Sequence, residues 1–334
     1  MTFLRYFIPL VKEGNKRGIQ SCFYVGPSNK YNCPTKHRDT LAKLAGKYKI
    51  RTKPIRELHK ATGLCFFIEG VGLEHLQRTA QKQTRVSITY TADYRHSYDK
   101  YIDYIDFCLF PAAWQVEEAV KNKWIKKLNK EKTITIGTPK LDDCLSLDKD
   151  AIFEKYNLQK NAEHCLIVLP KSDDFDRLIK RKSFDVIISF LRSMDYKILT
   201  KNRGKERYRH KNGDLDIIDG DWYPHPTMEL IKVSDLVINF DSAAIEECLA
   251  LKTKMINFNV KKNRPNALPP AFPVLYNPNF CVNIEQEEEF SANRLRAEYE
   301  KVSNTATDTF FNKFITDHLG KIPCSEEILD YFIS

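Results

Sequence analysis

A chain of 334 residues is longer than one compact core usually holds, and at about 150 residues per domain it is expected to form two domains. Its 42% hydrophobic and 29% charged residues, with only 12 Gly and 15 Pro, exclude disordered, collagenous and low-complexity chains. The net charge of +9 is carried by the front, where residues 1–100 hold 19 Lys and Arg against 7 Asp and Glu, while the remainder holds 34 against 37.

In chain order, Phe3, Leu4, Phe7, Ile8 and Val11 share one helical face and predict a helix over 2–17, stopped at Gly18. Strands are predicted at 19–26, 63–70, 86–90, 106–111 and 133–137. Helices are expected at 35–48, 73–82 and across AAWQVEEAVKN. TPKLDDCLSLDKD, around Pro139, reads as a connection, and the rhythm then restarts. Strands at 165–170, 196–201, 215–219, 236–240 and 254–259 alternate with helices at 182–194, HPTMELIKVS and SAAIEECLAL. Short β-rich runs alternating with amphipathic helices define an α/β fold with mostly parallel sheets. A domain of this kind normally opens with a strand, whereas this chain opens in a helix. Either the first strand is missing, or the true start lies further upstream.

No window reaches the roughly 18 consecutive apolar residues of a spanning helix, and no signal-peptide pattern follows Met1. The nine cysteines are odd in number, widely spread and without a C-x-x-C pair. They read as reduced thiols in a cytoplasmic protein rather than a disulfide framework or zinc site. The basic front suits an ordinary solvated surface or an anionic partner, including the inner face of an anionic membrane. A nucleic-acid surface is not expected, because the aromatic-rich YRHSYDKYIDYIDF is not basic.

The segment 229–259, ELIKVSDLVINFDSAAIEECLALKTKMINFN, concentrates the chemistry. A strand ends in Asn239-Phe240-Asp241, and the small residues Ser242, Ala243 and Ala244 open a helix that carries Glu246 and Glu247. Small residues there let a phosphate approach unpaired backbone N–H groups, and the helix dipole favours its charge. A carboxylate one or two turns along can accept hydrogen bonds from ribose hydroxyls. The same residues also suit a plain βαβ unit, with Asp241 or Ser242 as the N-cap and the glutamates in solvent.

The order of these features resembles the donor-binding half of GT-B nucleotide-sugar transferases. Ser234-Asp235 precedes the strand, Ser242-Ala243-Ala244 matches the phosphate turn, and Glu247-Cys248-Leu249-Ala250-Leu251 matches the ribose-binding helix. Lys252-Thr253-Lys254 stands where the family usually has Gly-Lys-Pro. TITIGTPKLDD (133–143) resembles the G-x-P-x-x-D segment that leaves the first domain, which makes Gly137, Thr138, Pro139 and Lys140 interdomain candidates. CLIVLPKSDD resembles the first donor-domain strand, whose loop here carries Lys171. YKILTKNRGKE resembles the strand that delivers cations to the donor phosphates, here Lys201, Arg203 and Lys205, and His225 is a further nucleotide contact. Without a metal, such an enzyme neutralises the leaving diphosphate with side chains and a helix dipole.

Within GT-B the likeness points to the CDP-glycerol glycerophosphotransferase and surface-carbohydrate transferase group, with UDP-N-acetylglucosamine 2-epimerases as relatives. It implies two Rossmann-like domains facing a cleft: 1–140 on the acceptor side, and 141–334 holding the nucleotide donor and carrying C-terminal helices. The implied reaction moves a sugar or polyol phosphate from a nucleotide-sugar or CDP-polyol donor to a glycan or lipid-linked acceptor. Inversion needs a base. Where the glycerophosphotransferase group has His-Gly, this chain has Thr91-Ala92-Asp93, so Asp93, His96 and the strand-ending Glu69 are the candidates. No D-x-D triplet lies in a suitable strand–loop context, so no obligatory metal and no cofactor beyond the donor are expected. A 2-epimerase-like enzyme, or a non-catalytic binding protein descended from a GT-B enzyme, are the alternative readings.

Overall fold

A computed structural model describes residues 4–26, 35–69, 82–89, 102–121, 125, 127–169, 181–202, 213–218, 223, 225–240, 242–258, 281–284 and 291–333. The chain divides into two compact units, one comprising Met1–Asp143 with Thr316–Ser334 and the other Cys144–Ile315. Both are parallel α/β assemblies, as the alternating pattern predicts.

In the first unit, β1 (Cys22–Val25) pairs in parallel with β2 (Arg51–Pro54). A separate parallel sheet runs β3 (Gly63–Ile68), β4 (Gln83–Ile88), β5 (Phe107–Phe110), β6 (Thr133–Thr135). The predicted strand at 19–26 therefore forms, but beside the larger sheet rather than within it. Successive side chains of a strand point to opposite faces. Ile68, Val86, Ile88, Leu109 and Ile134 accordingly pack with Tyr6 and Leu10 of the Leu4–Lys16 helix and with Ile328 and Leu329 of the Ser325–Ile333 helix. Phe67, Cys108 and Phe110 face the other way, onto Leu58 and Ala119.

The sequence reading runs the second domain to residue 334, whereas residues 316–334 turn back into the first unit. Three anchors hold them. Lys321 N–H donates to the Ile136 carbonyl (2.9 Å), Trp114 Nε1–H donates to the His318 carbonyl (3.1 Å), and Asp142 receives the N–H groups of Cys324 (2.9 Å) and Ser325 (2.8 Å). A carboxylate in that position caps the Ser325–Ile333 helix and answers its positive end. Gly137 (φ 149°) and Gly320 (φ 72°) permit the close approach: a Cβ on Gly137 would lie 2.4 Å from the Lys321 carbonyl oxygen, and one on Gly320 2.2 Å from that of Pro111. The segment read as a connection, 138–150, is itself folded: Pro139–Ser146 is a 3-10 helix, and the Lys149–Tyr156 helix follows.

The second unit holds one parallel sheet in the order β12-β11-β10-β7-β8-β9, built from Cys281–Ile284, Lys254–Phe258, Leu236–Asn239, His164–Val168, Lys197–Asn202 and Leu215–Ile218. One face, with Cys165, Ile167, Ile198, Leu236, Ile238 and Ile256, packs on Phe184, Ile187 and Leu191 of the Arg181–Ser193 helix and on Leu295 and Val302 of Ala292–Thr305. The Pro226–Lys232 helix lies against β7, and Ala244–Ala250 lies against β10 and β11.

Two outcomes are expected. Asp142→Ala strips the cap from the Ser325–Ile333 helix, and urea unfolding should report a loss of about 1 kcal/mol. At the start of β7, His164 is buried beside the Phe153 ring (centroids 5.7 Å apart), and this burial lowers its pKa below 6.5. The unfolded imidazole then takes up a proton that the folded one refuses, so stability falls as pH drops through the unfolded value toward the folded one. The urea midpoint should be lower at about pH 5.5 than at about pH 7.5, and His164→Gln should narrow the difference.

Candidate functional site

The sheet of the second unit starts at its centre. β8 and β9 extend it to one side of β7, while β10, β11 and β12 extend it to the other. The chain therefore leaves the carboxyl ends of β7 and β10 in opposite directions, and in open α/β sheets the crevice at this switch point is where ligands bind.

Residues at that edge are polar although buried. Asn239 and Asn257 are register partners at the ends of β10 and β11, and the Asn239 amide donates to Asn257 Oδ1 at 2.8 Å. The same amide donates to the Ser242 carbonyl at 3.2 Å, so it fixes the turn that follows β10. Ser242 Oγ in turn receives the Ala244 N–H at 3.4 Å, where the Ala244–Ala250 helix begins. On the far side of β7, Val168 pairs with Lys201 of β8, and Lys201 is 7% exposed. Asn239 and Lys201 lie two strands apart, about 10 Å at the usual strand spacing. Ser242, Ala243, Ala244 and Lys201, all expected from the sequence, thus meet at one sheet edge.

Glu247, expected to reach a ribose, sits in the Ala244–Ala250 helix and is only 1% exposed, with Glu246 similarly buried. This overturns the plain alternative in which the glutamates face solvent. His225 is half-buried, immediately before the Pro226–Lys232 helix, with extended backbone (φ −78°, ψ 114°) and no capping hydrogen bond from its side chain. Lys171, Arg203, Lys205 and Asp241 lie outside the described residues.

In the first unit, Glu69 ends β3 at the carboxyl edge in a left-handed conformation (φ 52°) that costs a non-glycine residue energy. Its backbone is held from both sides: its N–H donates to the Ile88 carbonyl (3.0 Å), and its carbonyl accepts the Ser87 hydroxyl (2.7 Å). Lys49, Asn157, Asp195 and Lys252 share this left-handed backbone, so the conformation by itself assigns Glu69 no role. Asp93 and His96 lie outside the described residues. Gly137, Thr138, Pro139 and Lys140 are buried in the first unit; Gly137 accommodates the returning chain, and Lys140 Nζ stands 5.8 Å from the Tyr6 ring centre.

The asparagine pair went unremarked in the sequence, although a signal was there. Ile238-Asn239-Phe240 and Ile256-Asn257-Phe258 repeat one tripeptide, and the two copies lie in register, with the Phe240 and Phe258 rings stacked at 4.9 Å. Among the described residues, no group of three or more His, Cys, Asp and Glu side chains is placed to hold a metal ion.

No family model matches the chain, and no curated protein matches its sequence. Solved structures do match. A histidine variant of the wall teichoic acid polymerase TagF is 15% identical, with a TM-score of 0.58 over 85% of this chain and 76% of that one. A putative UDP-N-acetylglucosamine 2-epimerase from Listeria monocytogenes is 11% identical, with a TM-score of 0.62 over 99% of this chain and 94% of that one. The Methanocaldococcus jannaschii UDP-GlcNAc 2-epimerase, solved in complex with UDP-GlcNAc and UDP, is 12% identical, with a TM-score of 0.61 over 98% and 95%. At these identities the likeness is one of fold. The chain has the Rossmann-like α/β architecture of the GT-B group, as the sequence resemblance implies.

The asparagine pair yields a test. Asn239→Ala leaves Asn257 Oδ1 and the Ser242 carbonyl without their shared donor, and should cost about 1–3 kcal/mol in urea unfolding. Because both single changes break one hydrogen bond, Asn239→Ala combined with Asn257→Ala should cost less than their sum.

Proposed function

We propose that this chain is a GT-B transferase that moves a sugar or polyol phosphate from a nucleotide-activated donor to a glycan or lipid-linked acceptor. The observation that carries this reading is the polar, buried carboxyl edge of the second unit's sheet, where Asn239, Ser242 and Lys201 flank the switch point. The comparisons add support, since one TagF structure was soaked with CDPG and the archaeal epimerase structure holds UDP-GlcNAc and UDP.

In this reading an acceptor hydroxyl attacks the transferred centre while a base removes its proton, and the nucleotide leaves with the bonding electron pair. Glu69, Asp93 and His96 are the candidate bases. Charge grows on the departing phosphates, and Lys201, Arg203 and Lys205, the N–H groups of Ser242 and Ala243 and the polarity of the following helix would meet it. Lys171, His225 and Asp241 would line the same nucleotide site, with Glu247 answering the ribose.

A second reading, a 2-epimerase-like enzyme, is favoured by the higher TM-scores of the epimerase structures, 0.62 and 0.61 against 0.56 for the TagF structure that is covered to a similar extent. The two separate cleanly, because an epimerase converts UDP-GlcNAc with no acceptor present, whereas a transferase releases nucleotide only when acceptor is added.

The test is a calorimetric panel of UDP, CDP, GDP and ADP with the matching monophosphates. One base should bind at micromolar Kd. Glu247→Gln should weaken that binding at least tenfold, about 1.4 kcal/mol, with an unchanged urea midpoint. Failure of every nucleotide to bind would overturn the proposal and favour a non-catalytic descendant of the fold.

A further inference from the structure

The amide of Asn239 has a second edge. Its nitrogen gives one hydrogen to Asn257 Oδ1 (2.8 Å) and the other to the Ser242 carbonyl (3.2 Å). A carbonyl oxygen only accepts, so the nitrogen has to face it, and this fixes which way round the amide lies. Asn239 Oδ1 is then left without a hydrogen-bond partner among the described residues, although the residue is 0% exposed. A buried acceptor in that state costs stability until a donor meets it. Ser303 Oγ and Ser325 Oγ are also buried without a partner, but a serine hydroxyl reaches a new one by changing a single torsion. The oxygen of Asn239 is held in place by the two bonds of its own nitrogen.

That oxygen lies at the switch point. Ile238 pairs with Ile167, so Asn239 stands next to Val168, the last residue of β7. A planar amide carries its nitrogen and its oxygen on opposite edges. The nitrogen edge is turned toward Asn257 of β11, so the oxygen edge is turned toward β7, on the other side of β10. Between the carboxyl ends of β7 and β10 is the crevice in which a sheet of this kind takes its ligand.

The chemistry of the oxygen limits what can meet it. Ionised phosphate offers only acceptor oxygens, and two facing acceptors repel each other. A donor group is required. The same amide holds the Ser242 turn, where the proposed diphosphate would lie, and the groups on either side of a diphosphate in an activated donor are the ribose and the transferred sugar or polyol. Both carry hydroxyls. We infer that Asn239 Oδ1 accepts a hydrogen bond from a hydroxyl of the nucleotide donor and makes the site selective for a hydroxyl at that place. The inference rests on the reading of this edge as a nucleotide-donor site.

Calorimetry would compare UDP, CDP, GDP and ADP with their 2′-deoxy and 3′-deoxy forms and with UDP-GlcNAc and CDP-glycerol. One hydroxyl should matter for the nucleotide that binds. A deoxy form that binds roughly tenfold more weakly than its parent assigns the ribose. A sugar- or glycerol-bearing nucleotide that binds roughly tenfold more tightly than the bare diphosphate assigns the transferred group. Asn239→Ala should erase that preference. Asn257→Ala breaks the same bond between the amides but leaves Oδ1 and the Ser242 contact in place, so it should keep it. Wild-type protein without a preference, a preference that survives in Asn239→Ala or is lost equally in both variants, or a uniform loss for every ligand in Asn239→Ala would each overturn the inference. A crystal structure of the wild-type complex in which a water, and no ligand hydroxyl, stands about 2.8 Å from Oδ1 would do the same. Failure of every nucleotide to bind the wild type would remove the donor-site reading and this inference with it, whereas binding without the preference removes this inference alone.

Discussion

Parallel strand pairing is the constraint on which the rest of this molecule depends. A parallel strand cannot return through a tight turn, so each pair needs a crossover, and the crossovers cover both faces of the sheet. Side chains in the middle of β7, β10 and β11 are consequently buried whichever way they point, which is why CLIV, LVI and MI are almost wholly apolar. Polar chemistry is then left with the strand ends. In the second unit the amino ends carry structural contacts, such as the Asp235 carboxylate accepting the His164 N–H at 2.9 Å, while the carboxyl ends carry the asparagine pair and Lys201.

That division explains what sequence reading achieves here and where it stops. Strands with continuous β-branched or aromatic runs were readable, and so were helices whose apolar residues recur at 3.6-residue spacing. β2 was not, because Arg-Thr-Lys-Pro has no apolar alternation and is exposed at every position. The Lys149–Tyr156 helix, most of which follows the segment read as a connection, is hard to read because its amphipathicity is weak, with Ile152 and Phe153 its buried residues. At the carboxyl edge of the second unit's sheet, the turn Ser242–Ala244 and Lys201 stand out in the sequence because small residues and cations suit phosphate chemistry. Asn239 and Asn257 do not, since a neutral amide within an apolar run carries no charge signal and its role depends on a partner 18 residues away.

The asparagine ladder also shows how a rigid sheet reaches into a loop. Two adjacent amides share one hydrogen bond, and the second N–H of Asn239 extends beyond the strand to the Ser242 carbonyl. Stacked Phe240 and Phe258 rings on the opposite side restrict the same strand ends. A turn braced in this way loses little further freedom when a ligand arrives, which is a favourable setting for binding a charged group with fixed backbone donors.

The return of residues 316–334 bears on how the protein is made. Asp142 and its partner Cys324 stand 182 positions apart, with the whole second unit between them. During synthesis, residues 144–315 emerge complete before the first unit has its last helix. The Leu4–Lys16 helix and the sheet beneath it must therefore wait with an apolar face uncovered at Tyr6, Leu10 and Leu109, until Ile328 and Leu329 arrive. The order of completion is the reverse of the order in which the units begin on the ribosome, and the early-made half is the one that most needs protection from aggregation.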